Sequence, residues 1–84
     1  MDAHDLIHSP LQQIYRDQDR WVEICIYRMP NTGWTLEVVD DKRNSTVWDG
    51  EFDSDQAALE FAISEINAVG IVDFIDSPPT SSLH

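Results

Sequence analysis

Strict alternation of apolar and polar positions marks the centre of the chain. In "WVEICIYRM", Val22, Ile24 and Ile26 fall on one face and Trp21, Glu23, Cys25 and Tyr27 on the other, which predicts a β-strand over residues 21–29. "PNTG" supplies turn residues, and "WTLEVVD" resumes the alternation with Trp34, Leu36 and Val38 opposite Thr35, Glu37 and Val39. The two runs predict an antiparallel hairpin. After the polar turn "DDKRN", "STVWDGEF" predicts a third strand over 45–52, in which Thr46, Trp48 and Phe52 share parity and Gly50 marks a bulge or a close approach.

From residue 54 the period changes from two to that of a helix. Ala58, Leu59, Ala62, Ile63, Ile66 and Val69 form an apolar stripe, with Glu60, Ser64, Glu65 and Asn67 off it, so a helix is expected over 54–69. Asp53 is the expected N-cap, with Gln56 three residues on, and Asp55 complements the helix dipole. Gly70 stands where a left-handed residue ends a helix, with Ile71 folding back onto the last turn. "IVDFI" predicts a short closing strand or extended segment. Ser9, Pro10 and Gln12 match an N-cap, first-turn proline and N3 glutamine, and Leu11, Ile14 and Tyr15 then share one face, which predicts a short helix of about two turns.

The order is that of a small α+β domain: a three-stranded antiparallel sheet (β-β-β-α) with one helix on one face, a short N-terminal helix and a short terminal strand or extended segment. Residues 9–76 are expected to form this single domain, and 1–8 and 77–84, polar or rich in Pro and Ser, to be flexible ends. One helix covers only one side of a sheet. Trp21, Cys25, Tyr27, Val39 and Val47 have the parity of the other side, and either the N-terminal helix, a second copy or another protein is expected to cover them.

The segment "WTLEVVDDKRNSTVWDGEFDSDQAALEFAISEINAVGIVDFI" resembles a family of small bacterial proteins of unknown function, recurrent in proteobacteria and on mobile elements, with W-x-L-E-V-x-D, N-S-T-x-W-D and D-Q-A-A-L motifs. The resemblance extends over residues 21–76 and implies the domain; it brings no activity with it. A fold-level similarity to HicB-type antitoxins lies in three strands followed by "SDQAALEFAISEI", although the Pro-Gly-Cys turn expected before that helix is missing.

Charge narrows the function classes. Sixteen Asp and Glu against five Lys and Arg leave a net charge of −11, which repels nucleic-acid phosphates and anionic lipid headgroups, so neither nucleic acid nor membrane is an expected partner. Asp49, Glu51, Asp53 and Asp55 form an acidic ladder read as the rim of the second face. In calcium-loop register these four and Glu60 occupy ligand positions 1, 3, 5, 7 and 12, but Ser54 stands where the loop requires glycine and a strand precedes it instead of a helix. His4 and His8 lack a third ligand. Cys25 is the single cysteine, flanked by Ile24 and Ile26 with no histidine near it in sequence, which reads as an inert thiol and excludes an intramolecular disulfide. No phosphate loop, nucleophile-base set or dinucleotide fingerprint occurs.

No cofactor, metal or catalytic residue is therefore expected. The N-terminus has neither a basic nor an apolar leader region, and a cytoplasmic location is expected. The expected function is a non-enzymatic accessory or protein-interaction domain acting through the apolar second face and its acidic rim, toward a protein partner or, slightly favoured, a second copy. The alternative is an antitoxin-like or DNA-mimicking inhibitor that occludes a basic site on its target.

Overall fold

A computed structural model of the chain describes residues 6–76. Seven elements follow one another: β1 (Ile7–His8), β2 (Gln13–Asp17), β3 (Arg20–Arg28), β4 (Thr35–Asp40), β5 (Ser45–Val47), α1 (Asp55–Val69) and α2 (Ile71–Asp76). The class is α+β with an antiparallel sheet, as expected, but the sheet has five strands where three were expected. β3 pairs with β4 and β4 with β5, while β1 and β2 share the other side of β3.

The alternation of β3 and β4 sets the layers. Val22, Ile24, Ile26, Leu36 and Val38 are buried against Ala58, Leu59, Ala62 and Ile66 of α1 and Ile71, Phe74 and Ile75 of α2. Both helices therefore lie on one face of the sheet. Trp34, Trp48 and Phe52 extend this core as their parity predicted, and Phe61, which lies off the expected stripe, packs edge-on to Trp48 at 5.8 Å and against Phe52 at 5.3 Å between ring centroids. Val69, assigned to the stripe, is exposed in the last turn.

The N-terminal helix does not form. Ser9 and Pro10 instead start a single turn: the Ser9 carbonyl accepts from the Gln12 amide at 3.2 Å and its hydroxyl from the Leu11 amide at 2.9 Å. An N-cap signature and an isolated turn use the same local hydrogen bonds, and here the following residues join a ladder. β2 pairs with β3 from Gln13↔Ile24 to Asp17↔Arg20, placing Tyr15 opposite Val22 on the helix side and Ile14 opposite Glu23 on the other. The Tyr15 hydroxyl donates to Asn67 Oδ1 at 2.9 Å. Gln18 and Asp19 make the connecting turn, both left-handed with φ of 52° and 64°. Two successive positive φ angles at a two-residue connection are those of a type I′ hairpin. Its usual Asn-Gly signature is absent, which left the hairpin unmarked in the sequence. Ile7 and His8, assigned to a flexible end, pair with Arg28 and Tyr27. Residues 1–5 of that end, with His4, and the whole of 77–84 lie outside the described residues.

The third strand is shorter than the alternation of 45–52 predicts. β5 ends at Val47, and Phe52 rejoins Trp34 through two backbone hydrogen bonds of 2.8 and 2.9 Å. Trp48 still donates to the Leu36 carbonyl, so the segment from Trp48 to Phe52 bulges out against the shorter Trp34–Leu36. The close approach falls on Gly33, not Gly50: a Cβ on Gly33 would meet Glu51 Cβ and the Phe52 carbonyl oxygen at 3.0 Å, whereas one on Gly50 would meet nothing.

Helix α1 is capped by Ser54, not Asp53. Ser54 is extended (φ −143°, ψ 158°) and its hydroxyl accepts from the Ala57 amide at 3.0 Å. Gly70 ends the helix with φ 86° and donates to the Ile66 carbonyl at 2.8 Å. The chain then re-enters a helix instead of a strand. Ile71, Phe74 and Ile75 have i, i+3, i+4 spacing, and packing on α1 and β3 rewards that face over the β propensity of the isolated run.

Candidate binding face

The register brings the five residues assigned to the second face onto one surface, opposite both helices. Trp21, Cys25, Tyr27 and Val39 are half-buried by their neighbours within the sheet, and Val47 at the edge is 45 % exposed. β2 adds Ile14, 51 % exposed, and Arg16, opposite Trp21; β1 adds His8, opposite Tyr27. These three escaped the sequence reading. For Ile14 and Arg16 only alternation through Gln13, Tyr15 and Asp17 could have revealed them, and it was masked by the apparent helix start; the two residues of β1 are too few to show an alternation for His8. The described N-terminal segment extends the sheet in its own plane and leaves this face without a covering layer of described residues.

Two carboxylates interrupt the apolar surface. Glu37 is held from both sides: the Tyr27 hydroxyl donates to Oε1 at 3.0 Å and the Ser45 hydroxyl donates to Oε2. Its charge is thus partly met within the sheet. Glu23, between Val39 and Ile14 in the cross-strand row, is exposed. Burial, with Glu23 and Glu37 adding to it, pushes the Cys25 thiol up to about 11, which keeps it protonated and unreactive at neutral pH. Burial and the hydrogen bond to Glu37 push the Tyr27 phenol up to about 12. His8 and Tyr27 rings lie 6.2 Å apart, extending the aromatic surface toward β1.

Of the four ladder residues, Asp49, Glu51 and Asp53 lie between Val47 and α1 and Asp55 opens α1, and they do not act alike. Asp49, Glu51 and Asp53 are exposed, but Glu51 accepts from the Gly33 amide at 3.1 Å and Asp55 accepts from the buried Ser9 hydroxyl at 2.7 Å. Two of them therefore fasten the loop and helix start to the sheet. The regular strand expected beneath Asp49 and Glu51 is replaced by the bulge, so their spacing does not record one strand face.

A second charged cluster closes the opposite end. Arg20 donates to both oxygens of Asp41 at 2.9 and 3.0 Å, and Asp76 accepts from Lys42 at 2.7 Å and from Arg20 at 3.5 Å. Hydrogen bonds from Arg20 hold the Asp41 carboxyl below its usual range, and those from Lys42 and then Arg20 do the same for Asp76. The cluster ties the β4–β5 turn to the end of α2. Arg28 lies over the Trp34 ring at 5.0 Å and donates to the carbonyls of Met29 and Pro30.

Among the described residues there is no pocket and no group of three or more metal-ligating side chains, and neither helix is long and apolar enough to cross a membrane. Compared with family models, curated proteins and solved structures, the chain shows no match.

Proposed function

We propose that the protein is a non-enzymatic interaction domain whose open sheet face binds a protein partner. The observation that supports this is the half-exposed set Trp21, Cys25, Tyr27, Val39, Val47 and Ile14, gathered on a sheet whose other face holds both helices. Apolar area on such a face contributes roughly 25 cal/mol per Å² when covered, so a few hundred Å² drives association by several kcal/mol before its costs. Aromatic side chains dominate interface energetics, and Trp21 and Tyr27 are the anchors of this reading. In this reading the exposed Asp49, two residues beyond Val47, and Asp53, just before the α1 cap, supply the acidic border and favour a partner with basic groups at its edge.

The test is a pull-down from the native cell with the intact chain, Tyr27→Lys and Val39→Lys as baits, each washed at low and high salt. A partner retained at both salt concentrations by the intact chain and lost with either lysine variant supports the reading. A partner that both lysine variants retain, but that salt or Asp49→Asn with Asp53→Asn removes, would overturn it in favour of an inhibitor that occludes a basic site by charge.

A further inference from the structure

The sheet has two edges, and they are built differently. β5 offers three residues before the chain bulges away at Trp48, so that edge is short and interrupted. The other edge consists of β1 and β2, separated by the Ser9–Gln12 turn with its proline. β1 has two residues. β2 has five in regular register, without proline, lysine or bulge, and no described strand lies beyond it.

The direction of its free backbone groups follows from the hydrogen bonds. Ile26 donates its amide to Gln12 Oε1 and accepts from the Ser9 amide, so even-numbered residues of β3 turn their backbone toward β1 and β2. Trp48 donates to Leu36, so even-numbered residues of β4 face β5 and the odd ones bond odd-numbered β3 residues, which gives the same assignment. Gln13, Tyr15 and Asp17 therefore turn inward to Ile24, Val22 and Arg20. Ile14 and Arg16 turn their N–H and C=O outward, where no described residue meets them.

We propose that two copies of this chain join through β2, antiparallel about a two-fold axis at Tyr15. This register sets Ile14 opposite Arg16 of the second copy, so outward groups meet outward groups and four backbone hydrogen bonds form. Gln13 falls opposite Asp17, and no acid faces an acid. The row Val39, Glu23, Ile14 continues into Arg16 of the second copy, which stands two strand spacings, about 10 Å, from the exposed Glu23 and within reach of its long side chain. In a chain of net charge −11, a strand carrying one Arg and one Asp is a surface where two copies approach with little repulsion. Stacking the open faces instead would take the exposed Glu23 and Arg16, both on that face, out of water, whereas edge pairing leaves them solvated. Edge pairing also joins the two open faces into one continuous surface. It does not rest on what that surface binds.

Sedimentation equilibrium of the full chain over a wide concentration range, with hydrogen exchange resolved to single amides, tests the pairing. The expected result is a concentration-dependent dimer in which the Ile14 and Arg16 amides gain protection on association, while those of Gln13 and Tyr15 are protected at every concentration. Ile14→Pro and Arg16→Pro each remove an outward N–H, which an edge strand tolerates, and should give folded monomers with unchanged far-UV circular dichroism. If either variant fails to fold, the exchange pattern of the unmodified chain decides. A monomer at the highest concentration reached, or a dimer whose Ile14 and Arg16 amides exchange freely, would overturn the proposal. So would a dimer that survives Ile14→Pro but is lost with Tyr27→Lys, because it would place the second copy on the open face.

Discussion

The turn joining β2 to β3 offers a direct test of the part of the fold least visible in the sequence. Gln18 and Asp19 occupy the two central positions with φ of 52° and 64°, a conformation that costs an ordinary L-residue roughly 1–2 kcal/mol. Neither side chain makes a hydrogen bond among the described residues, so replacing them removes none there. Asn-Gly is the preferred pair for a type I′ turn, with asparagine tolerating the left-handed region and glycine occupying it freely. Relief at the two positions is worth about 2 kcal/mol, offset by ~0.5–1 kcal/mol for the greater freedom of glycine in the unfolded chain. The double substitution Gln18→Asn with Asp19→Gly is therefore expected to stabilise the domain by about 1 kcal/mol, raising the melting temperature by roughly 4–8 °C for a domain of this size. Thermal and urea unfolding of the two proteins measure it. An unchanged or lower midpoint would mean that this turn is not type I′, and the β2 register, with the outward direction of Ile14 and Arg16, would fall with it.

Four further outcomes follow from the packing and the charges. Ser54→Ala should cost about 1 kcal/mol in urea denaturation while Asp53→Ala leaves the midpoint nearly unchanged; a cost found only with Asp53→Ala would return the cap to Asp53. Ile24→Ala, at a fully buried central position, should cost about 2–5 kcal/mol, and a loss below 1 kcal/mol would mean that the core closes elsewhere. Alkylation of Cys25 should follow a midpoint near pH 11, rather than the ordinary thiol value, and should accelerate in denaturant; fast modification of the folded protein at neutral pH would refute the burial argument. Because the Asp41 and Asp76 carboxyls are lowered in the folded state, their contribution is present above the unfolded value of about 4 and is lost as pH falls through the folded values. Urea midpoints should thus decline at acid pH, less steeply in Asp41→Asn, and identical acid limbs would show that the Arg20 pair contributes nothing.

Local pattern was enough for the elements whose period is unambiguous. Alternation in Val22, Ile24, Ile26, Leu36 and Val38 determined two central strands and their buried face, and the stripe from Ala58 to Ile66, bounded by Gly70, determined the main helix. The same parity placed Trp21, Cys25, Tyr27, Val39 and Val47 together on the opposite face, because side chains in a strand have only two directions. What the tertiary structure decided lies where one short stretch satisfies two local codes. Ser9-Pro10 serves equally as a helix start or a lone turn, and pairing with β3 selected the turn and strand, thereby moving Ile14 from a supposed covering helix to the open face itself. Ile71, Phe74 and Ile75 suit a strand by composition and a helix by spacing, and the presence of α1 and β3 as packing partners selected the helix. The cap passed from Asp53 to Ser54 through a one-residue choice that depends on where Phe52 is pinned by Trp34 across the sheet. Hydrogen bonds between strands distant in sequence outweigh a few tenths of a kcal/mol of local preference, and those bonds are invisible until the partner strand is in place.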